Sequence, residues 1–156
     1  MKGTERDRPE VLSSEVTLRY EYALGEVAGH FMEGLKDGKI LATRCSKSGL
    51  TYLPPRAYCE QSFERCDGWV EAAHQGIIEA STIVVRGFAG KRETPVAIAF
   101  VRLDGVDSAI GNYVDELDLT DHEAAMKKLA PGNRAQVVFR SEREGRITDF
   151  SFVCIE

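Results

Sequence analysis

The sequence has few aromatic residues, few cysteines and no long apolar stretch. Aromatic side chains make up 8% of the 156 residues, and Trp69 is the single tryptophan. No segment approaches the ~20 consecutive apolar residues that a membrane-spanning helix needs, and residues 1–8 lack the apolar core of a secretory signal. These shortages argue against a membrane protein and predict a cytoplasmic location.

Positive charge is also in short supply. The chain has 20 Lys and Arg residues against 25 Asp and Glu residues, which leaves a net charge of −5. Such a molecule repels polyanions unless its basic groups gather on one face. With 43% hydrophobic residues the chain is nevertheless able to bury a core. Neither nucleic acid nor a membrane is therefore an expected partner.

The chain has four cysteines, Cys45, Cys59, Cys66 and Cys154. Because the sequence is neither very short nor marked for secretion, a disulfide framework is not expected, and metal binding or packing is the better explanation. In the last predicted strand, two-residue alternation places Cys154 on the same side as Phe150 and Phe152. We therefore expect Cys154 to be a small core residue.

One amphipathic helix is predicted near the N-terminus. Its apolar residues recur every three or four positions over residues 24–35, and Gly38 offers the left-handed cap that ends a helix. We interpret His30 as a structural histidine and expect a neighbouring helix or loop to approach closely at Gly29. Residues 1–23 are expected to form a flexible segment. The apolar positions are Leu24, Val27, Ala28, Phe31, Met32 and Leu35.

The rest of the sequence has the pattern of strands separated by turns. Residues 40–56 predict a hairpin whose second strand ends at Pro54 and Pro55, and residues 121–129 predict a short helix. Asp121 is expected to cap that helix, and Ala125, Met126 and Leu129 to plug a barrel. Strands are predicted over residues 76–85, 96–103, 109–114, 134–139 and 147–155.

Five strands are the number that an oligonucleotide/oligosaccharide-binding (OB) barrel requires. The predicted fold is mainly β, with an N-terminal helix, a zinc-ribbon-like hairpin unit over residues 24–66 and a five-stranded OB-fold barrel over residues 67–156.

Two cysteines stand where a zinc ribbon has its first ligands. Such a ribbon presents two C-x-x-C knuckles to one tetrahedral ion. Here Cys45 and Cys59 open the knuckles, but Ser48 and Ser62 occupy the second ligand positions. A hydroxyl is a poor zinc ligand because it is usually protonated. Two interpretations stay open: zinc held by Cys45, Cys59 and Cys66, or a hairpin packed without metal.

This region closely resembles a family that joins a rubredoxin-like zinc ribbon to an acyl-CoA-associated OB-fold. The resemblance rests on the runs Gly-Lys-Ile-Leu-Ala-Thr-Arg-Cys (38–45) and Tyr-Leu-Pro-Pro-Arg-Ala-Tyr-Cys (52–59). Trp69-Val70-Glu71, residues 76–78 and residues 95–105 look like the family's barrel strands, and Ala130-Pro131-Gly132 resembles the turn before its fourth strand.

The resemblance implies a non-catalytic accessory subunit. Members of this family accompany thiolases, related condensing enzymes, hydratases or aldolases, and help to form the pocket for a coenzyme A thioester. The catalytic cysteine then belongs to a thiolase-like partner, and acyl-CoA is a shared ligand. We expect an exposed apolar face, formed by the helix and the hairpin, to dock on that partner. Candidate contacts to CoA are the cations Arg44, Lys47, Arg56, Lys91 and Arg92, together with Phe88 as a stacking residue.

Two other functions are considered. An OB barrel is often a binder of single-stranded nucleic acid, but the net charge and the carboxylates of residues 115–118 disfavour it. The chain could also be an enzyme by itself through a cysteine paired with His30, His74 or His122. Common hydrolase, metalloprotease and phosphate-loop motifs are missing from the sequence.

Overall fold

The computed structural model describes residues 17–87 and 92–155. No helix in these two ranges is long and apolar enough to span a bilayer. The described elements, in chain order, are α1 (Gly25–Lys36), β1 (Leu41–Arg44), β2 (Thr51–Tyr52), β3 (Gly68–Glu71), β4 (Gln75–Val84), β5 (Val96–Leu103), β6 (Ile110–Val114), α2 (His122–Lys128), β7 (Arg134–Phe139), a 3₁₀ turn (Ile147–Asp149) and β8 (Phe150–Ile155).

Strands β4 to β8 form a closed barrel in the order β4-β5-β6-β8-β7. Neighbouring strands are antiparallel except β6 and β8, which run parallel where Val114 faces Phe152. With α2 between its third and fourth strands, this is the arrangement of an OB barrel. The predicted fold class is therefore confirmed. The last strand begins at Phe150 rather than at Ile147, because residues 147–149 turn as a 3₁₀ helix.

Helix α2 closes one end of the barrel. The Asp121 carboxylate caps it by accepting a hydrogen bond from the Ala124 amide at 3.0 Å, as predicted. Ala125 and Leu129 are buried, but Met126 is 41% exposed, so the prediction that Met126 plugs the barrel is wrong. The physical reason is helical spacing: positions four apart share the inner face, and the intervening residue points away.

Helix α1 has nearly the predicted bounds, but its apolar face is not free. Phe31 and Leu35 are buried in the same core as the barrel residues, so the predicted docking face of this helix is internal. The expected close approach at Gly29 is also wrong, since a Cβ there would meet nothing within 4 Å. The close contact lies at Gly34 instead, where a Cβ would be 2.7 Å from Leu41 Cδ1.

The hairpin belongs to a small three-stranded sheet in the order β2-β1-β3. Strand β1 pairs with β2 on one side, as predicted, and with β3 on the other, where Leu41 faces Glu71 and Thr43 faces Trp69. The assignment of Trp69-Val70-Glu71 to the barrel is therefore wrong. The free edge of β1 explains the difference, since its amides and carbonyls need a partner. The unit boundaries at residues 24 and 67 stay predictions.

His74 carries a buried polar atom without a partner. Its Nε2 has no hydrogen-bond partner among the residues that the structure describes, and its ring lies 5.5 Å from the Phe139 ring. An unpaired buried polar atom costs about 1–3 kcal/mol of desolvation. The imidazole thus lowers stability at this position.

Replacing His74 with phenylalanine is expected to raise the free energy of unfolding by about 1 kcal/mol, because the new ring keeps the contact with Phe139 and leaves no polar atom unpaired. Urea denaturation measures the change. The matched control is His122→Phe at the exposed start of α2, where no gain is expected. A loss of stability in His74→Phe would contradict the assignment of a net cost to the imidazole.

Candidate functional site

Both knuckles of the ribbon keep their turns. In the first, the Gly49 amide donates to the Cys45 carbonyl at 2.8 Å, and in the second the Phe63 amide donates to the Cys59 carbonyl at 3.0 Å. The residue that ends each turn has a positive φ, +79° at Gly49 and +56° at Phe63. Phe63 adopts this conformation without being glycine and is 84% exposed.

The side chains of the two knuckles are paired across the gap between them. Cys45 Sγ lies 3.3 Å from Ser62 Oγ, and Cys59 Sγ lies 3.2 Å from Ser48 Oγ. Each pair therefore joins a sulfur of one knuckle to a hydroxyl of the other. Tyr52 adds a third hydroxyl, 3.2 Å from Cys59 Sγ. We call Cys45, Ser48, Cys59 and Ser62 the knuckle quartet.

These hydrogen bonds change the acidity of the two buried thiols. Burial is the largest influence on Cys59 and opposes its ionisation, but the hydroxyls of Ser48, Ser62 and Tyr52 and the Ser62 amide outweigh it and lower the pKa to about 5. The pKa of Cys45 is also lowered, chiefly by Ser48 and then by Ser62. The Tyr52 phenol has its pKa raised to about 12, first by its hydrogen bond with Cys59. The quartet therefore favours a thiolate at Cys59.

We expect the metal-free protein to show thiolate ultraviolet absorbance from Cys59 at neutral pH, with a transition near pH 5. Because the folded-state pKa lies below the ordinary thiol value, the thiolate stabilises the fold at high pH, and this contribution is lost as the pH falls through about 5. Absorbance titration of wild type and Cys59→Ser checks this. A transition that persists unchanged in Cys59→Ser would refute the assignment.

Cys66 packs against Cys45, Tyr52 and Cys59. Burial raises the pKa of its thiol. Within residues 17–87 and 92–155, no three His, Cys, Asp or Glu side chains are grouped as a metal ion would require. The donor set of the knuckle quartet, two sulfurs and two hydroxyls, does not fit a structural zinc site, which uses four Cys or His ligands. The assignment of Cys45, Cys59 and Cys66 as ligands stays a prediction.

Two of the three ribbon cations predicted to touch CoA are paired with carboxylates of the chain. Lys47 pairs with Glu64 at 2.9 Å, and Arg56 pairs with Glu60 while lying over the Tyr52 ring, 5.0 Å from its centroid. Arg44 is exposed at the end of β1. Two of these three positive charges are thus already balanced by carboxylates of the chain.

At the barrel, Arg92 is the predicted CoA residue that the structure describes; Phe88 and Lys91 lie outside the described residues. Arg92 pairs with Asp115 and lies over the Tyr113 ring, 4.1 Å from its centroid. Burial opposes ionisation of Asp115, but hydrogen bonds from Arg92 and Ser151 and the charges of Arg92 and Arg140 hold its pKa below the usual range.

Arg92 opens onto a cleft that sequence reasoning missed. The cleft has a volume of about 970 Å³ and is lined by three arginines, Arg92, Arg140 and Arg146, together with the acidic residues Glu142, Glu144 and Asp149. Arg146 is partly balanced by Glu144 at 3.0 Å. Arg140 and Arg146 flank the turn between β7 and β8. Their positions on either side of the Gly145 turn were the signal available in the sequence.

Two of the three histidines considered for nucleophilic catalysis, His30 and His74, face aromatic rings. The His30 ring lies 4.5 Å from the Trp69 ring in an edge-to-face arrangement, which supports its interpretation as a structural residue. His74 contacts Phe139, and His122 is exposed at the start of α2.

Comparison with known proteins identifies the ribbon. Residues 32–68 match the family model described as ChsH2, rubredoxin-like zinc ribbon domain. This segment contains both knuckles and therefore the whole knuckle quartet. No curated protein matches the chain.

Two solved structures share the overall fold. A DUF35 family protein of unknown function from Sulfolobus solfataricus is 23% identical, with a TM-score of 0.61 over 84% of this chain and 87% of its own. A structure described as Ltp2-ChsH2(DUF35) aldolase is 16% identical, with a TM-score of 0.63 over 86% of this chain and 97% of its own. The ribbon match and the closed barrel together confirm the resemblance: the chain has the two-part architecture of the family that joins a rubredoxin-like zinc ribbon to an OB-fold.

Proposed function

We propose that this protein is a non-catalytic accessory subunit of a thiolase-type acyl-CoA enzyme complex and helps to form the binding site for the CoA thioester. The observation that carries the proposal is the ChsH2-type ribbon over residues 32–68 joined to a closed OB barrel. The description of a solved structure with the same fold, the Ltp2-ChsH2(DUF35) aldolase, names two components. We also propose a cytoplasmic location.

The state of the four thiols supports a non-catalytic role. Cys45 and Cys59 are each only 1% exposed, so a substrate carbonyl cannot reach their sulfurs. Cys66 and Cys154 are more accessible, but burial raises the pKa of both thiols, which keeps them protonated and poorly nucleophilic. The nucleophilic cysteine is therefore assigned to the partner.

The docking surface is assigned to the extended segment before α1 instead of the helix itself. Leu18, Tyr20, Tyr22 and Leu24 alternate along this segment and are between 46% and 77% exposed. The rings of Tyr20 and Tyr22 lie 6.0 Å apart, on the same side. Large exposed apolar side chains in a row are typical of surfaces that a partner covers. The catalytic subunit is the proposed occupant.

Co-purification from the native source tests the proposal. A tagged chain is expected to recover a thiolase-like enzyme, and the isolated chain is expected to release no thiol from acyl-CoA until that enzyme is added. Replacing Tyr20 and Tyr22 with serine should weaken recovery, whereas Met126→Ser, which removes an exposed apolar side chain on α2, should not. Turnover by the isolated chain would refute the proposal.

The arginine cleft is the proposed contact for the CoA phosphates. Changing Arg140 and Arg146 to glutamine is expected to weaken CoA-thioester binding by the complex about a hundredfold or more, because two charge-assisted hydrogen bonds of about 1.5–3 kcal/mol each are lost. Calorimetric titration measures the effect. Lys127→Gln, which removes a cation paired with Glu123 on α2, is the matched control. Equal losses in both variants would indicate a general charge effect and contradict the assignment.

A partner of the aldolase or hydratase class is the alternative within the same scheme, and the similarity in fold to the Ltp2-ChsH2(DUF35) aldolase favours an aldolase. The identity of the recovered enzyme distinguishes these partners. Binding of single-stranded nucleic acid is tested by filter retention of labelled strands. Tight and salt-sensitive retention would favour that function over the accessory role.

A further inference from the structure

The knuckle quartet lies where a zinc ribbon holds its ion. In a zinc ribbon the ion ties the two turns together, and its loss usually opens the structure. Here the turns keep their backbone geometry, with the Cys45 amide donating to Leu50 and the Cys59 amide to Glu64, each at 2.9 Å. The chain therefore preserves the knuckle shape although two of the four thiolates are replaced by hydroxyls.

We propose that the knuckles are closed by reciprocal hydrogen bonds between cysteine sulfurs and serine hydroxyls in place of a zinc ion, so that the ribbon is stable without metal. The pairs Cys45–Ser62 and Cys59–Ser48 both cross from one knuckle to the other, at 3.3 and 3.2 Å. A hydroxyl suits this role because it both donates and accepts hydrogen bonds. The inference is independent of the function of the complex.

The surroundings of the quartet reinforce the same closure. The Tyr52 hydroxyl reaches Cys59 Sγ from inside the core, and the Ser62 amide donates to the same sulfur at 3.4 Å. On the outside, the ion pair of Lys47 with Glu64 joins the first knuckle to the second. The buried sulfur of Cys59 thus has several hydrogen-bonding partners without a cation.

Weak ligands explain why a metal is poorly matched to this site. Two thiolates balance the charge of Zn²⁺, but the two remaining ligand positions are neutral hydroxyls, which bind zinc weakly. Cys66 packs against the cluster without making a group of three metal-binding side chains in the part of the chain that is described.

Three measurements on the full chain test the inference. First, wild type incubated with zinc and desalted should hold well under one zinc per chain, and its melting temperature should not change with a chelator. Second, S48C/S62C should hold one zinc per chain and lose melting temperature on chelation, because the intact turns then present four thiolates. Third, S48A/S62A should melt roughly 4–8 °C below wild type without metal, since two hydrogen bonds are lost.

The matched control for the gained site is S46C/S62C. It contains the same number of cysteines, but the Ser46 hydroxyl bonds Asp67, away from the quartet. This variant should hold zinc less tightly than S48C/S62C. One zinc per wild-type chain with a chelator-sensitive melting temperature would overturn the inference, as would an unchanged melting temperature in S48A/S62A. The zinc content and the melting temperature of the wild-type protein test the inference even if a variant does not fold.

Discussion

Replacing Gly76 with alanine is expected to lower the free energy of unfolding by about 3 kcal/mol, near the upper end for overpacked sites. Gly76 lies in β4 between two neighbours, facing Leu103 of β5 and Ala135 of β7. A Cβ at this position would lie 2.3 Å from the Arg102 carbonyl oxygen and 2.6 Å from Leu103 Cα. Both atoms belong to the backbone, so the strands must separate to admit the methyl group.

Chemical denaturation of Gly76→Ala measures this loss. The matched control is Gly29→Ala in α1, where a Cβ meets nothing within 4 Å. There the same added methyl group is expected to raise stability by up to about 1 kcal/mol, because alanine favours the helix over glycine. If both variants change stability by the same amount, the close approach of β4 and β5 at Gly76 is not the cause.

Replacing Asp149 with alanine is expected to cost about 3 kcal/mol. This buried carboxylate receives hydrogen bonds at one oxygen from three successive amides, those of Glu144, Gly145 and Arg146, at 2.9, 2.7 and 2.9 Å. Alanine leaves all three donors without their acceptor, and hydrogen bonds to a charged group are among the strongest in proteins. The turn between β7 and β8 then loses the carboxylate that holds its three amides together.

Thermal and urea unfolding of Asp149→Ala measure the cost. Asp121→Ala is the control, because Asp121 is also a carboxylate that accepts from a backbone amide, but it is exposed and caps only α2. A loss of about 1 kcal/mol is expected there. Similar losses in the two variants would show that the three-amide arrangement adds nothing beyond an ordinary cap.

The barrel strands were largely predictable because their signals are local. Alternating apolar residues and turn residues lie next to each other in the chain, and the predicted bounds of β5 and β7 agree with the structure. Strand β3 was misassigned because it pairs with β1, which is distant in the sequence. The four residues of β3 do not by themselves indicate this partner. The prediction for Met126 was wrong for a different reason, since a short helix has too few turns for its sequence to define the inner face.

The candidate site residues were likewise predictable only where their signals lie close together in the sequence. Cys45 and Cys59 were recognised together with Ser48 and Ser62, because the ligand spacing of each knuckle lies within one short segment of the sequence. The pairing of Lys47 with Glu64 and of Arg92 with Asp115 joins residues 17 and 23 positions apart. Such pairing decides which cations are balanced, and only the folded chain shows it. The cleft itself was missed because Arg92 and Arg140, which line it together, are far apart in the sequence.

The position of β8 has a consequence for synthesis. This strand lies between β6 and β7 in the closed barrel and is formed by Phe150–Ile155. As the chain leaves the ribosome, the ribbon and the first barrel strands emerge early, but their sheet has open edges until the last of these residues arrives. We therefore expect nascent chains cut short before residue 150 to be captured by chaperones, and the final strand to trigger closure.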